Sequence, residues 1–266
     1  MTLLPAETAA LAIRPRLPES PEVAIILGSG LSDFADTLTG QVIIPYNEIP
    51  HYPQPTVPGH VGKLVYGNVG HLPVLAAQGR FHYYEGHPLE MVSLPIHFFR
   101  CLGANILIIT NAAGCAVTEW NEGDLMLITG HMDYTFIENA HDPVVLTGEP
   151  YHSQELLSLA RTAANEAGIN VREGIYAWCL GPTFETPAEI QEIRALGGHA
   201  AGMSTVPEIR AAAEAGLKVL GISCLTNYAA GIRDQPLNHE EVLATGQRVQ
   251  ETFARLVTGI LAKLGP

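Results

Sequence analysis

Basic side chains are scarce: 14 Lys and Arg stand against 27 Asp and Glu in 266 residues, a formal net charge of −13. Such a chain repels polyanions and lacks the diffuse positive footprint that DNA or RNA binding needs, which excludes nucleic acid as a partner. A small anionic substrate has to be drawn in by a local cluster of donors. Cysteine is scarce too. Cys101, Cys115, Cys179 and Cys224 stand far apart with no Cys-x-x-Cys pair, so neither a zinc ribbon nor a redox motif is spelled, and reduced thiols in the cytoplasm are expected. No run reaches the roughly 18 apolar residues that cross a bilayer. The opening MTLLPAETAALAIRPRL reads as no export signal, because Arg14-Pro15-Arg16 closes its apolar character. A soluble protein with no membrane partner is expected. Charged residues make up only 15%, too few for a coiled coil or a disordered chain.

What is present is apolar: 47% of residues are hydrophobic, and the length suits one large α/β domain, 1–266, with 1–20 as an N-terminal segment. Strand and helix patterns alternate. Short apolar runs predict strands at 23–27, 63–66, 72–77, 106–110, 125–128, 174–180 and 219–224. Gly67-Asn68-Val69-Gly70 suits a hairpin turn between the second and third. Helical spacing predicts helices at 90–102, closed by Gly103, and at about 153–167, 187–196 and 205–215. A last helix runs from the N-cap Asn238 to Leu264, with Glu240 and Glu241 at its positive end. The expected architecture is α/β, with a central mixed, mostly parallel sheet flanked by helices. Segments 45–58 and 132–152 read as loops.

The candidate chemistry lies behind the strands, where open α/β sheets bind ligands. Gly28-Ser29-Gly30 is neither a dinucleotide fingerprint, since Asp33 takes the third glycine position, nor an acyl-hydrolase elbow. It reads as an anion cradle or as a tight turn with no ligand. Glu48 stands at a ribose-like distance from it. Gln78-Gly79-Arg80-Phe81-His82-Tyr83-Tyr84-Glu85-Gly86-His87 packs a guanidinium, two imidazoles and three aromatic rings directly behind a strand. Arg80 suits a bidentate oxyanion contact, His82 a further donor, and Tyr84 a sugar; the bland alternative is a surface loop with an Arg80–Glu85 salt bridge. Asn111-Ala112-Ala113-Gly114 is small enough for a flat ligand to approach the backbone. Phe184 and Glu185 set a ring beside a carboxylate, which suits a heterocyclic base, next to a helix start capped by Thr186 with Pro187 in its first turn. Met203-Ser204-Thr205 stands at another helix start, where either hydroxyl serves as N-cap or anion ligand. Asn227 is equipped to donate to one ring atom and accept from another, or to make an Asx-turn. All these loops are expected to converge at the ends of one parallel sheet.

Taken in order, Gly28-Ser29-Gly30-Leu31, Val57-Pro58-Gly59-His60, Gly79-Arg80-Phe81-His82, Asn111-Ala112-Ala113-Gly114, Gly181-Pro182-Thr183-Phe184-Glu185, Gly202-Met203-Ser204-Thr205-Val206-Pro207-Glu208, Thr226-Asn227 and Asn238-His239-Glu240-Glu241-Val242-Leu243 resemble the trimeric purine nucleoside phosphorylases, from about residue 20 to residue 262. The resemblance implies the nucleoside phosphorylase fold and reversible phosphorolysis of (deoxy)ribonucleosides to free base and pentose 1-phosphate. It implies phosphate binding by Ser29, His60, Arg80, His82, the Ala112 N–H and Ser204. Ribose falls to Tyr84, Phe184, Met203 and His239, and the purine to Glu185 and Asn227, with His82, Glu185 and Asn227 as the catalytic set. It implies no metal and no organic cofactor, phosphate being a co-substrate, and a homotrimer.

The sequence departs from that family in three places. The segment 131–152 lacks the loop by which many relatives send a phenylalanine into a neighbouring ribose site; Tyr134, Phe136 and Tyr151 are its candidate equivalents. Tyr228 stands where some relatives carry lysine, and Cys115 where a second glycine is common. Methylthioadenosine phosphorylase is the rival activity on the same fold, and Asn227 argues against it, because those relatives usually place an acid there. A catalytically silent nucleoside-binding module is the rival of another class; the complete Arg80, His82, Glu185 and Asn227 set argues against it.

Overall fold

The structure is a computed structural model that describes residues 4–137, 141–234 and 237–265. In chain order the elements are α1 (Pro5–Ile13), β1 (Val23–Leu27), β2 (Thr39–Pro45), β3 (Lys63–Val69), β4 (Leu72–Gln78), α2 (Leu89–Val92), α3 (Leu94–Leu102), β5 (Ile106–Cys115), β6 (Leu125–Asp133), β7 (Leu146–Thr147), α4 (Gln154–Ala167), β8 (Val171–Trp178), α5 (Pro187–Ala195), β9 (Ala200–Gly202), α6 (Val206–Glu214), β10 (Lys218–Tyr228) and α7 (His239–Leu264).

One mixed sheet runs β10-β6-β8-β9-β5-β1-β4-β3-β2, with β7 on β6. Because β10 also pairs with β5, the strands β5, β10, β6, β8 and β9 close on themselves as a small barrel, and β1, β4, β3 and β2 extend from it as an open wing. The long ladders β5–β10 and β6–β8 are parallel, as are β1 with its neighbours β4 and β5. By contrast β6 runs antiparallel to β10, and β9 antiparallel to β5. The sheet is mixed and mostly parallel, as expected, and its parallel strands form two sets, β4, β1, β5 and β10 on one side and β6, β8 and β9 on the other, which meet antiparallel at β10–β6 and β5–β9.

The wing's central strands are buried on both faces, which is why they read as unbroken apolar runs. Ala24 and Ile26 of β1, Leu75 and Ala77 of β4, and Leu107 and Ile109 of β5 pack toward α1, α3 and α6. Ile25 and Leu27, Val74 and Ala76, and Ile108 pack toward α4 and α7. Each large aliphatic side chain so buried contributes about 1.5–3 kcal/mol.

Several boundaries differ from the sequence reading. The β3–β4 hairpin turns at Gly70-His71, whereas Gly67 lies within β3 opposite Val74. A Cβ at Gly67 would meet Leu38 at 2.7 Å, so this glycine serves packing. The helix expected at 90–102 is split at Ser93, because Pro95 lacks the N–H that would continue it. The N-terminal segment carries a helix, α1, whose Ala6, Ala9, Ala10 and Ile13 are buried against the core that α3 shares. Strand β2 is an unforeseen edge strand, and β7 lies inside the expected loop at 132–152. Asn238 caps α7 as read, its Oδ1 accepting the Glu241 N–H at 2.8 Å.

Candidate active site

The carboxyl halves of β5 and β10, and the ends of β1, β4, β8 and β9, surround one cleft of about 760 Å³ counting its open mouth. Ser29, His60, Arg80, His82, Tyr84, Ala112, Phe184, Glu185, Met203, Ser204 and Asn227 all line it. The His239 side chain lies outside the described residues. The expected convergence holds, but it comes from two directions: β8 and β9 approach β5 from the opposite sense to β1, β4 and β10. The segment 111–114 does not follow a strand; it is the outer part of β5 itself.

Glycines make the approach possible. A Cβ on Gly28 would meet the Asn111 Cα at 2.8 Å, and one on Gly30, at φ +76°, would meet the Gly246 Cα at 2.9 Å. The Ser29 turn is thus pressed between β5 and α7.

At one end of the cleft Arg80 is 2% exposed. Its Nη1 donates to Ser204 Oγ at 2.7 Å and to Thr205 Oγ1 at 2.8 Å, and its Nη2 to the Thr110 carbonyl at 2.6 Å. Its Nε faces Glu208 Oε1 at 3.4 Å. The salt bridge weighed as the bland alternative is overturned, since the arginine pairs with Glu208, not Glu85. The bonds to Ser204, Thr205 and Thr110 leave one Nη2 N–H uncommitted among the described residues. Thr205 is the N-cap of α6, but its hydroxyl accepts from Arg80 and from Asn111 Nδ2, at 2.9 Å, and makes no cap bond.

His82 Nδ1 lies 2.9 Å from Glu85 Oε1, and Glu85 also accepts the Thr56 N–H at 2.9 Å. Burial would raise the Glu85 pKa, but the hydrogen bonds from His82 and Thr56 outweigh it and bring it down to about 2. The carboxylate thereby orients the imidazole and ties down the loop that carries His60, whose ring centre stands 5.4 Å from that of His82. Glu48, suggestive in sequence, pairs with Arg16 at the surface.

In the middle, Tyr84 stacks on His82 with ring centres 4.8 Å apart. A Cβ on Gly181 would collide with Met203 Sδ and meet Tyr84 Cδ1 at 3.0 Å, so this glycine lets the two sugar candidates approach each other. Phe184, 40% exposed, stands at the mouth.

At the far end Glu185 Oε1 is buried without a hydrogen-bond partner. Desolvation raises its pKa, and a hydrogen bond with Cys179 partly offsets the rise. A bulge after Leu225 sets Asn227 opposite Gly114. Thr226 Oγ1 donates to Asn227 Oδ1 at 3.1 Å, and Asn227 Nδ2 donates to the Tyr228 carbonyl at 2.9 Å. The amide is held by its neighbours and keeps one N–H and one lone pair for a ligand. Two of the departures turn away: Tyr228 donates its hydroxyl to the Trp120 carbonyl at 2.7 Å, and Cys115 donates to the Val117 carbonyl.

The sequence reading assigned no role to the side chains of Asn111, Glu208 or Thr226; it gave Glu85 only as a salt-bridge partner of Arg80 and Thr205 only as an alternative N-cap or anion ligand. A polar residue inside an apolar strand was the available signal for Asn111, and a glutamate at a helix's third position was the signal for Glu208. Among the described residues no group of three or more His, Cys, Asp or Glu is placed to hold a metal ion, and no helix is long and apolar enough to cross a membrane.

Residues 22–262 match the phosphorylase superfamily. The chain is 44% identical to purine nucleoside phosphorylase 1 of Geobacillus stearothermophilus, over 97% of each chain. Among solved structures, purine nucleoside phosphorylase of Schistosoma mansoni in complex with inosine superposes with a TM-score of 0.89 at 33% identity, covering 98% of this chain and 97% of that one. The same enzyme in complex with adenosine superposes with a TM-score of 0.87 at 33% identity and the same coverage.

Proposed function

The chain belongs to the phosphorylase superfamily, and from that membership we infer that the protein is a purine nucleoside phosphorylase. It cleaves 6-oxopurine ribonucleosides and deoxyribonucleosides, inosine and guanosine, reversibly with phosphate, giving the free base and (deoxy)ribose 1-phosphate. The observation that carries the reading is a single cleft with a buried guanidinium at one end, a carboxylate and an amide at the other, and a tyrosine and a methionine between.

Phosphate is a weak nucleophile, so the bond from the sugar carbon to the purine nitrogen loosens first and the sugar takes on oxocarbenium character. That pair of electrons passes into the purine ring, and a phosphate oxygen then bonds to the same carbon. Arg80, His82, Ser204, Ser29, His60 and the Ala112 N–H hold the anion beneath the developing cation. Tyr84, Phe184 and Met203 enclose the sugar, and the resemblance assigns His239 to the same sugar. Asn227 and Glu185 stabilise the charge arriving on the base through hydrogen bonds aimed at the ring. The sequence of steps calls on these side chains and on phosphate as co-substrate, with no metal or organic cofactor.

The site is completed by a second copy in a homotrimer. Of the three aromatic candidates, Tyr134 spends its hydroxyl on Glu192 and Tyr151 is half-buried against the core. Phe136 is 45% exposed, with its backbone at φ +57°. A segment that reaches onto a neighbour's different surface makes a head-to-tail contact, and such contacts close as a ring of three when each copy is rotated by a third of a turn from the last. The four cysteines are free, which accords with a cytoplasmic protein.

The test is release of base from inosine, guanosine, adenosine and methylthioadenosine, each with and without phosphate. Phosphate-dependent cleavage of the first two is expected; preferred cleavage of methylthioadenosine would assign the sister activity.

A further inference from the structure

We propose that Glu208 is a positioning residue for the anion: from behind Arg80 it holds the guanidinium and, through the Thr205 amide, the Ser204 turn in the arrangement that receives phosphate. The proposal rests on reading the cleft as a phosphorylase site.

By position Glu208 is the third residue of α6, where a glutamate ordinarily accepts the N-cap backbone N–H and is solvated. Here it does accept that N–H, Thr205 N to Oε2, at 2.7 Å. Two features exceed the capping role. Glu208 is 1% exposed, and its Oε1 has no hydrogen-bond partner but stands 3.4 Å from Arg80 Nε. The N-cap it secures is Thr205, held at φ +80°, a conformation that a non-glycine residue keeps only where its surroundings enforce it. In that conformation Thr205 Oγ1 faces inward to accept from both Arg80 and Asn111.

Counting donors shows what is left for a ligand. A guanidinium has five N–H groups. Two on Nη1 go to Ser204 and Thr205, one on Nη2 goes to Thr110, and the one on Nε faces Glu208. One Nη2 N–H remains for the anion, joined by the proton of Ser204, whose oxygen is already fixed as an acceptor. A buried guanidinium without a counter-charge is costly. Glu208 supplies that charge when the cleft is empty, so Arg80 keeps its place between turnovers, and when phosphate enters, Arg80 stands between two anions.

Glu208→Gln keeps the size and removes the charge. One of its amide N–H groups then faces either Arg80 Nε–H or the Thr205 N–H, donor against donor, and the guanidinium or the turn has to move. The KM for phosphate should rise about tenfold or more, the scale of one charged hydrogen bond, while the KM for inosine and kcat at saturating phosphate stay near wild type. The phosphate concentration that raises Tm should shift by the same factor, which reads binding without turnover. Thr205→Gly suits the left-handed φ and so folds; losing Oγ1, it should shift the phosphate KM in the same direction. A wild-type phosphate KM in both variants, with only Tm altered, overturns the proposal and leaves Glu208 a helix cap. Base release by the wild-type enzyme in phosphate-free buffer overturns instead the functional reading on which it rests.

Discussion

His82 and Glu85 are bonded twice: Glu85 Oε1 takes the backbone N–H of His82 at 2.7 Å and faces its Nδ1 at 2.9 Å. The contact fixes which ring nitrogen turns to the cleft, and the same carboxylate accepts Thr56 N–H and O–H from the loop that carries His60. Glu85→Ala should therefore disturb both histidines. Steady-state titration with phosphate should show kcat/KM for phosphate down about tenfold or more, whereas Glu85→Gln, which still accepts from Thr56, should lose less. Unchanged phosphate kinetics in the alanine variant would dismiss the orienting role.

Acid sensitivity should begin at a pair remote from the cleft. His131 and His152 are fully buried, and His131 Nδ1 lies 2.9 Å from His152 Nε2. Burial holds both rings well below the usual histidine range, and the pair's own proximity and Arg210 press His131 further. Both stay neutral in the fold, while the unfolded chain takes up protons below about pH 6.5. Stability should accordingly fall as pH drops below that value, and further between about 4.5 and 2, where the unfolded chain protonates Glu85 and the fold does not. Tm measured from pH 7 to 4.5 should decline more gently in His131→Gln; an identical slope would exclude the pair as its source.

Gly79 stands at φ +119°, and a Cβ there would come within 2.8 Å of the His60 Cβ. Gly79→Ala should both strain the backbone, by about 1–3 kcal/mol, and push His60 from the anion end. Calorimetry and a phosphate titration should show a lower Tm together with a higher phosphate KM. A lower Tm alone would separate His60 from the anion.

The strands of the wing were legible because both their faces are buried; β1 shows only apolar residues, Ala24 and Ile26 to one side and Ile25 and Leu27 to the other. The barrel was not. Its closing strand is Ala200–Gly202, three small residues that carry no periodicity. In the site, Arg80, His82, Glu185 and Asn227 drew notice as chemistry-bearing side chains at strand ends. Glu208 did not, and Glu85 did only as a salt-bridge partner in the bland alternative, because a carboxylate that supports a functional group from behind looks in sequence like a helix cap or a solvated charge. That alternative paired Arg80 with Glu85, which is near in sequence, whereas its partner Glu208 arrives only by the fold.

Glu185, when ionised, accepts only, and so suits N1–H and the 2-amino group of a 6-oxopurine; adenine offers it a lone pair. On the proposed reading Asn227, left with one N–H and one lone pair by Thr226 and Tyr228, donates to O6 and accepts from N7 once N7 carries a proton. Mispairing buried groups costs several kcal/mol, so inosine and guanosine should be cleaved orders of magnitude faster than adenosine. Asn227→Asp should narrow the ratio of kcat/KM values, since a carboxylate accepts from a 6-amino group. A ratio untouched by the substitution would remove Asn227 from the base site.

Phosphorus NMR of the wild-type protein with inosine and phosphate separates phosphorolysis from hydrolysis. Inorganic phosphate should disappear one for one with the hypoxanthine formed and reappear as a sugar 1-phosphate, and added ribose 1-phosphate and hypoxanthine should run the reaction backward. Hypoxanthine released with free ribose, the phosphate signal unchanged, would contradict phosphorolysis.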